Sequence, residues 1–394
     1  MAKQSLSLKA VRDFTCLAGD CPAHCCGPWL VKLNKQTIDS WAQIEPSSIS
    51  EKFISRIDTL DLGGESQAVL SKNADGNCAN LTADGLCELQ HECGHEILPE
   101  TCQSYPRLHI ENSWRVFNGA ELSCPEVTRL TIESDGGLIV GSRNVKVSQS
   151  NEPATKLFRA FDELFLLVLS EKKYPINVRL YYLAWKIRNV LETIEHAGIQ
   201  SKLLKFTRAL VRSELSGLML NYSKGAISID TTMAEKFWSL AISMLGDITN
   251  SELEILHNDE LYRQIVSYKD QPGQLYQAIS ALRNEVADEV SVKYRSMMEK
   301  YVPVMFMNRG LPWNPVADNI FATFVHATIP IALVSLTLWL NHRNSCTVDS
   351  AFLQKSIYTI ERHLKHTTSI YERLNFDQSL LEMNRYPEFY LEIA

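Results

Sequence analysis

The sequence carries no excess of positive charge. Its 39 lysine and arginine residues are outnumbered by 46 aspartate and glutamate residues, which gives a formal net charge of −7. General binding to nucleic acid needs a basic surface that holds the phosphate backbone. We therefore expect a protein or small-molecule partner and no nucleic acid.

The first residues lack the apolar run of a secretory signal. The stretch from Met1 to Leu6 contains the charged Lys3, but no long apolar segment follows it. We therefore expect a cytoplasmic protein, whose thiols are kept reduced.

Several signatures of known cofactor sites are also missing. No Gly-x-Gly-x-x-Gly motif follows a predicted strand, so a doubly wound nucleotide-binding fold is not supported. No tandem Cys-x2-Cys pairs occur, which argues against a zinc knuckle. The Cys-x2-Cys-x2-Cys-x3-Cys run of ferredoxins and the Cys-x3-Cys-x2-Cys loop of radical S-adenosylmethionine enzymes are absent as well. Simple electron transfer and standard radical chemistry are therefore less favoured.

Only one hydrophobic run is long enough to span a bilayer. It extends from Ile320 to Leu340 and contains no formal charge. His326 and Pro330 lie in its middle, and neither a second span nor a flanking basic cluster accompanies it. We interpret this run as a buried core helix and expect no stable membrane insertion.

The first part of the chain has an irregular character. Residues 1–150 are rich in cysteine, glycine, asparagine and aspartate, and turn-forming sequences such as Asn73–Asn77 interrupt their short apolar runs. Helices are predicted at about 35–42 and 51–58, and a small β-hairpin at about 107–117. This region is predicted to be a metal-binding domain organised around its ligands.

The rest of the chain is predicted to be helical. From about residue 153, apolar residues recur three and four positions apart, first along the stripe Leu157–Leu169. Further helices are predicted at about 177–197, 201–217, 231–245, 273–300 and 347–374. A loop is predicted from Pro303 to Pro315, where prolines interrupt the pattern. The fold class is therefore mainly α, with a cysteine-rich N-terminal region at 1–150 and an all-helical domain at 151–394.

Cysteine is unevenly distributed along the chain. Nine of the ten cysteines lie in the first third, and the densest run reads Cys16-x4-Cys21-x3-Cys25-Cys26. In a reducing compartment, clustered cysteines are more often metal ligands or catalytic groups than disulfides. Thiolates at short spacing suit a soft metal, so an iron–sulfur cluster and a zinc ion both fit this run.

Other residues near the cysteines have two interpretations each. His24, His91 and His95 could bind metal, although histidines near a metal site more often hydrogen-bond to the backbone. Arg107 could neutralise a cluster or hold a carboxylate, or it could form a local salt bridge. Trp29 is expected to pack rather than to recognise a substrate.

The cysteines and their neighbours together resemble a known pattern. In order, spacing and flanking residues, the following segments resemble the flagellin lysine-N-methylase family, part of a wider group of cysteine-cluster proteins: Phe14-Thr15-Cys16, Cys21, Cys25-Cys26-x2-Trp29, Asn77-Cys78-x2-Leu81, Leu86-Cys87, Cys102-x2-Tyr105-Pro106-Arg107 and Cys124-Pro125-Glu126. The resemblance covers about residues 11–130. The helical remainder is compatible in length and class.

This resemblance implies a function and a set of metal ligands. The implied enzyme transfers methyl groups from S-adenosylmethionine to the ε-amino groups of flagellin lysines and holds a [4Fe–4S] cluster, so flagellin is the implied partner. By position, the family's metal cysteines are Cys16, Cys21, Cys25, Cys26, Cys78, Cys87, Cys102 and Cys124. Eight thiols exceed the need of one cubane cluster. Cys93 lies outside the pattern, and Cys346 lies alone in the helical part.

The catalytic residues and the donor site stay unassigned. A lysine amine must lose its proton before it can attack a methyl sulfonium, and the spacing singles out no base for that step. The donor either binds by a route other than a nucleotide fold or uses a coordination site on the cluster, in which case three cysteine ligands suffice.

Two other functions stay open. The thiols could hold zinc or an iron–sulfur cluster in a non-catalytic module, with the helical domain docking a partner. A weaker alternative is an oxidoreductase that uses the cluster for electrons.

Overall fold

The computed structural model describes residues 2–27, 29–62, 64–112, 114–134, 138–146, 153–198, 200, 204–246, 260–310, 320–344, 349–366 and 387–392. Within these ranges the protein is mainly helical, with a small sheet near the N-terminus, as the sequence predicts.

Two small sheets form in the N-terminal part. Their strands are β1 (Ala2–Leu8), β2 (Ile57–Leu62), β3 (Glu65–Leu70), β4 (Arg107–Glu111), β5 (Arg115–Ala120) and β6 (Leu138–Lys146). The larger sheet has the order β4-β5-β1-β6, and β2 pairs with β3 alone. The predicted hairpin is confirmed, since β4 and β5 pair antiparallel with Ile110 opposite Phe117. The sequence did not predict that β1 would pair parallel with β5 and antiparallel with β6.

Short helices connect these strands. They are Lys9–Asp13, Lys35–Trp41, Ser47–Ile54, Glu88–Cys93, Glu100–Ser104 and Pro125–Glu133. The helix predicted at 35–42 is confirmed, and the Asn34 side chain caps it by accepting a 2.8 Å hydrogen bond from the Thr37 N–H. The helix predicted at 51–58 is wrong in position, because the chain leaves the helix at Ile54 and pairs with β3 from Ile57 onward. Pairing with a partner strand outweighs local helix propensity here.

The described residues from 153 onward are helical apart from their connections. The α-helices are Pro153–Ser170, Ile176–Ala197, Arg208–Ser223, Thr231–Gly246, Glu260–Ser267, Pro272–Asn308, Ile320–Arg343 and Ser350–His366. The helix predicted at 201–217 begins later, at Arg208, where the Thr207 side chain accepts a hydrogen bond from the Leu210 N–H at 3.2 Å. The helix Glu260–Ser267 was not predicted. The predicted segment 367–374 lies outside the described residues.

The prediction of a loop that begins at Pro303 is wrong for residues 303–308, which are helical. Pro303 lies inside the helix Pro272–Asn308, which continues for five residues beyond it. A proline inside a helix costs about 3 kcal/mol. The buried side chains of Val302, Met305 and Phe306 offset that cost, because each removes a large apolar surface from water. Residues 311–319 lie outside the described part of the chain.

The long apolar segment is a single core helix. By length and composition, Thr323–Arg343 is the one described helix that could cross a membrane, and its apolar stretch is entirely buried inside the fold. Pro330 lies within the helix. The prediction of a core helix is therefore confirmed.

The described residues form two hydrophobic cores. The larger core joins the helices to residues of the N-terminal sheet, including Leu6 and Phe117. The smaller core lies in the cysteine-rich region around Trp41 and Phe53, and Cys78 belongs to it. Since the larger core draws on both regions, the domain division at residue 150 stays a prediction.

Candidate metal centre

A cavity of about 720 Å³ lies where four cysteine-bearing segments meet. The segments are 14–26, 85–95, 102–107 and 124–126. Seven of the eight family cysteines line the cavity: Cys16, Cys21, Cys25, Cys26, Cys87, Cys102 and Cys124. The eighth, Cys78, is buried next to it and is hydrogen-bonded to the Cys26 side chain.

Backbone hydrogen bonds place Cys78 beside the vicinal cysteines. The Cys78 N–H donates to the Cys26 carbonyl oxygen at 2.9 Å. The predicted turn before Cys78 forms, since the Asn73 side chain accepts hydrogen bonds from the Asp75 and Asn77 N–H groups at 3.0 and 2.9 Å. The turn and the backbone bond together hold Cys78 next to Cys26.

A second turn shapes the cavity wall next to Cys87. Gly85 has φ +74°, and a Cβ added there would lie 2.5 Å from a ring carbon of His24. Only glycine therefore fits this position without a shift. The ring of His24 packs into the space that the glycine leaves.

Four thiols form a hydrogen-bonded group centred on Cys26. Its other members are Cys25, Cys78 and Cys87, and this set is called the Cys26 group below. Hydrogen bonding to Cys26 lowers the pKa of Cys78 to about 6 and the pKa of Cys25 and Cys87 to about 7. The same hydrogen bonds raise the pKa of Cys26. The hydrogen bonds therefore favour the protonated form of Cys26 and the ionised form of the other three thiols.

The thiols outside this group behave differently. Burial raises the pKa of Cys102 and of Cys124 to about 12, and burial also raises the pKa of Cys21. The Cys21 thiol donates to the Ala23 carbonyl oxygen at 3.2 Å. These cysteines line the cavity as neutral thiols.

The Cys26 group is not arranged as a finished metal site. Among the residues that the structure describes, no three cysteine, histidine, aspartate or glutamate side chains have the geometry of a bound metal ion. The hydrogen bonds to Cys26 nevertheless bring three thiols to it.

Positive charges surround the Cys26 group. The Lys72 Nζ donates to the carbonyl oxygens of Gly27 at 2.8 Å and Trp29 at 2.5 Å. Burial lowers the pKa of Lys72, while the negative charge of the nearby Cys78 thiolate opposes that shift. Arg362, from the helix Ser350–His366, hydrogen-bonds to the carbonyl oxygen of His24. These cations favour ionised thiols at the site.

The histidines and Arg107 take positions on the cavity wall. His24, His91 and His95 all line it, and the buried His24 Nδ1 has no hydrogen-bond partner in the described residues. Arg107 lies exposed at the rim, with its guanidinium carbon 5.2 Å from the centre of the Phe14 ring. No carboxylate of the described residues forms an ion pair with Arg107. Trp29 is buried and packs 5.6 Å from the Tyr105 ring, as expected for a packing residue.

The sequence analysis did not identify Lys72 or Arg362 as a cation near the cysteines. Lys72 forms an isolated antiparallel β-bridge with Cys78, six residues further along the chain, and Arg362 lies 338 residues from the His24 carbonyl that it contacts. No spacing rule connects positions so far apart.

Cys93 packs in the smaller core away from the cavity wall, and Cys346 lies outside the described residues.

The fold and the cavity define a mainly helical protein with a thiol-lined cavity beside a small mixed sheet. No protein-family model and no solved structure matches the chain. The flagellar biosynthetic protein FliU of Salmonella muenchen is 30% identical over 134 residues, which cover 34% of this chain and 79% of that protein. The lysine-N-methylases of Salmonella choleraesuis and Salmonella typhimurium are each 29% identical over 136 residues, about a third of either chain.

The chain belongs to the flagellin lysine-N-methylase family, as the cysteine pattern predicts. The matched part spans only about a third of the two lysine-N-methylases. These matches show the family of the chain, and they do not show the activity of the whole chain.

Proposed function

We propose that the chain is a cytoplasmic methyltransferase that moves methyl groups from S-adenosylmethionine to the ε-amino groups of flagellin lysines. The observation that carries this proposal is the gathering of the eight family cysteines around one cavity in a chain of this family. The names of two relatives, both lysine-N-methylases, support the reaction type.

The proposal includes a [4Fe–4S] cluster, and the donor set fits one. The Cys26 group would hold it, since iron–sulfur clusters are bound by cysteine thiolates and three of these thiols ionise near neutral pH. Lys72 and Arg362 would offset the negative charge of the thiolates. With one thiolate of the group on each iron, a bound cluster would supply a redox-active centre at the cavity wall.

The remaining family thiols would form part of the cavity wall. Cys16, Cys21, Cys102 and Cys124 line the space next to the Cys26 group. Burial keeps Cys102 and Cys124 protonated, so they form a neutral wall. This division accounts for the excess of eight thiols over the four that one cluster binds.

The cavity offers one carboxylate to a cationic substrate. Among the residues that line it, Glu126 alone carries a carboxyl group. Both Glu126 oxygens accept hydrogen bonds from Arg129, at 2.7 Å each, which fixes the orientation of the group. A lysine ammonium entering the cavity would be attracted toward this side. The base that removes its proton stays unassigned.

Arg107 would bind the other substrate, S-adenosylmethionine. S-adenosylmethionine carries a carboxylate, and Arg107 is a rim cation without an ion-pair partner in the described residues. Its guanidinium carbon lies 5.2 Å from the centre of the Phe14 ring. A guanidinium group suits two parallel hydrogen bonds to a carboxylate.

Co-expression with flagellin tests the proposal. Flagellin produced with the wild-type chain should contain methylated lysines by mass spectrometry, and flagellin produced with Cys26→Ser should not. Cys93→Ser is the matched control, because Cys93 lies outside the cavity wall and should leave methylation intact. Unmodified flagellin in the presence of soluble, metal-loaded wild-type protein would contradict the proposal.

A second candidate is a non-catalytic metal-binding module. The contact of Cys26 with three other thiols also suits a closed four-cysteine zinc site. Metal analysis of anaerobically purified protein separates the two candidates. Brown protein with iron and acid-labile sulfide supports the cluster, whereas colourless protein with one tightly held zinc supports the module.

A further inference from the structure

Arg362 contacts the vicinal cysteine loop from the opposite end of the chain. Its Nη2 donates to the carbonyl oxygen of His24, and its guanidinium carbon lies 5.0 Å from the centre of the Trp29 ring. A Cβ added at Gly27 would lie 3.7 Å from the same guanidinium carbon. The three contacted residues flank Cys25 and Cys26 on both sides, so one guanidinium group touches the loop before and after its thiols.

The helix that carries Arg362 is itself firmly anchored. The neighbouring Glu361 is buried and accepts hydrogen bonds from the Tyr301 hydroxyl at 3.1 Å and from Arg309 at 2.7 Å. Both donors belong to the end of the helix Pro272–Asn308 or to the turn that follows it. Arg362 therefore extends from a fixed part of the helical core.

The surroundings of Arg362 strengthen its electrostatic effect. Its exposed fraction is 6%, and the face of Trp29 shields it from water. A guanidinium stays charged at every accessible pH. A low local dielectric lets that charge act on the nearby thiols more strongly than it would in water.

We propose that Arg362 is a positioning residue that holds the Cys25–Cys26 loop in place and raises the reduction potential of the cluster bound by the Cys26 group. The inference rests on the metal part of the proposed function. A reduced cluster carries one more negative charge than an oxidised one, so a fixed cation next to it favours the reduced state. Through Arg362, the helical part of the chain would set both the retention and the redox state of a metal held in the cysteine-rich part.

Two substitutions separate the charge of Arg362 from its contacts. Arg362→Gln removes the charge, whereas Arg362→Lys keeps the charge and loses the planar stacking on Trp29. The matched control is Arg343→Gln, an arginine on another helix that forms an exposed ion pair with Glu285 at 3.2 Å. Circular dichroism and thermal unfolding of the full chain report whether each variant is folded.

The readouts are a potentiometric titration followed by electron paramagnetic resonance and the rate of iron loss to a chelator. We expect a more negative potential in Arg362→Gln and an unchanged potential in Arg362→Lys and Arg343→Gln. Iron loss should be about tenfold faster in both Arg362 variants, as for other groups that support metal ligands.

The outcomes distinguish this inference from the proposed function. Wild-type protein that binds no iron contradicts the cluster and the inference together. Iron-loaded wild type with the same potential and the same rate of iron loss as the Arg362 variants overturns only the inference. If Arg362→Gln does not fold, Arg362→Lys tests the positioning role alone. Iron loss from Arg362→Lys at the wild-type rate would then contradict that role.

Discussion

The backbone N–H of Cys78 donates a hydrogen bond to the carbonyl oxygen of Cys26 at 2.9 Å. This single bond joins two loops that are far apart in sequence and brings their thiols together. It uses backbone atoms only.

Removal of Cys78 should abolish metal retention. Cys78 is buried and hydrogen-bonded to Cys26, so Cys78→Ser replaces one soft ligand of the group by a poor one. Iron or zinc content after anaerobic desalting should fall to a small fraction of the wild-type value. Cys93→Ser is the control, because Cys93 does not line the cavity, and it should keep its metal. Full metal content in Cys78→Ser would exclude Cys78 as a ligand.

The thiols of the Cys26 group should titrate near neutral pH in metal-free protein. Hydrogen bonding to Cys26 lowers the pKa of Cys78 to about 6 and of Cys25 and Cys87 to about 7, against about 8.5 for a free thiol. Ultraviolet absorbance of the thiolates should therefore rise between about pH 6 and 7.

Cys26→Ala should move this titration to higher pH. The substitution removes the hydrogen bonds that stabilise the three thiolates. Because these pKa values are lowered by folding, their contribution to stability is present above about pH 8.5 and is lost as pH falls through 6 to 7. Thermal unfolding across this range should therefore depend less on pH in Cys26→Ala. A titration that is the same in both proteins would contradict the hydrogen-bonded group.

Lys72 should be needed for the shape of the vicinal cysteine loop. Its Nζ binds the carbonyl oxygens of Gly27 and Trp29, so Lys72→Met leaves two carbonyl groups without this donor. We expect a loss of about 1–3 kcal/mol in the free energy of unfolding and a metal affinity about tenfold lower. Lys32→Met is the control, since Lys32 is exposed and should tolerate the change. Equal metal affinity of the two variants would remove the proposed role of Lys72.

The buried pair of Arg115 and Asp162 should hold the hairpin to the helical core. Arg115 belongs to β5 and Asp162 to the helix Pro153–Ser170, and their side chains are 1% and 4% exposed. The Trp114 indole also donates to Asp162 at 3.1 Å. Asp162→Ala removes the carboxylate that offsets the buried charge of Arg115 and should cost about 3–5 kcal/mol in chemical denaturation. Glu163→Gln, which removes an exposed pair with Arg159, should cost less than about 0.5 kcal/mol.

Local sequence patterns predicted the elements that depend on neighbouring residues. The hairpin of β4 and β5 was predicted from two strand-forming runs, and the helix Lys35–Trp41 was predicted from its local pattern. The core helix Ile320–Arg343 was predicted from its uncharged composition. These features need no information from distant parts of the chain.

Features that depend on distant contacts escaped prediction. The parallel pairing of β1 with β5 joins the N-terminus to residues more than a hundred positions away, and no local pattern encodes it. Pro303 suggested the end of a helix, but the helix continues to Asn308. Burial of Val302 and Phe306 in the core stabilises this continuation. The cysteine spacing selected residues that meet at one cavity, whereas the supporting contact of Arg362 with His24 has no sequence signal. The role of the cysteines as metal ligands stays a prediction.

Methyl transfer with purified components tests the central claim most directly. Flagellin would be incubated with S-adenosylmethionine labelled in its methyl group and with the full chain, either reconstituted with iron and sulfide or freed of metal. The account predicts labelled lysines in flagellin with the reconstituted chain and none with the metal-free chain. Equal labelling by both preparations would contradict the role of the metal, and no labelling by the iron-loaded chain would contradict the methyltransferase itself.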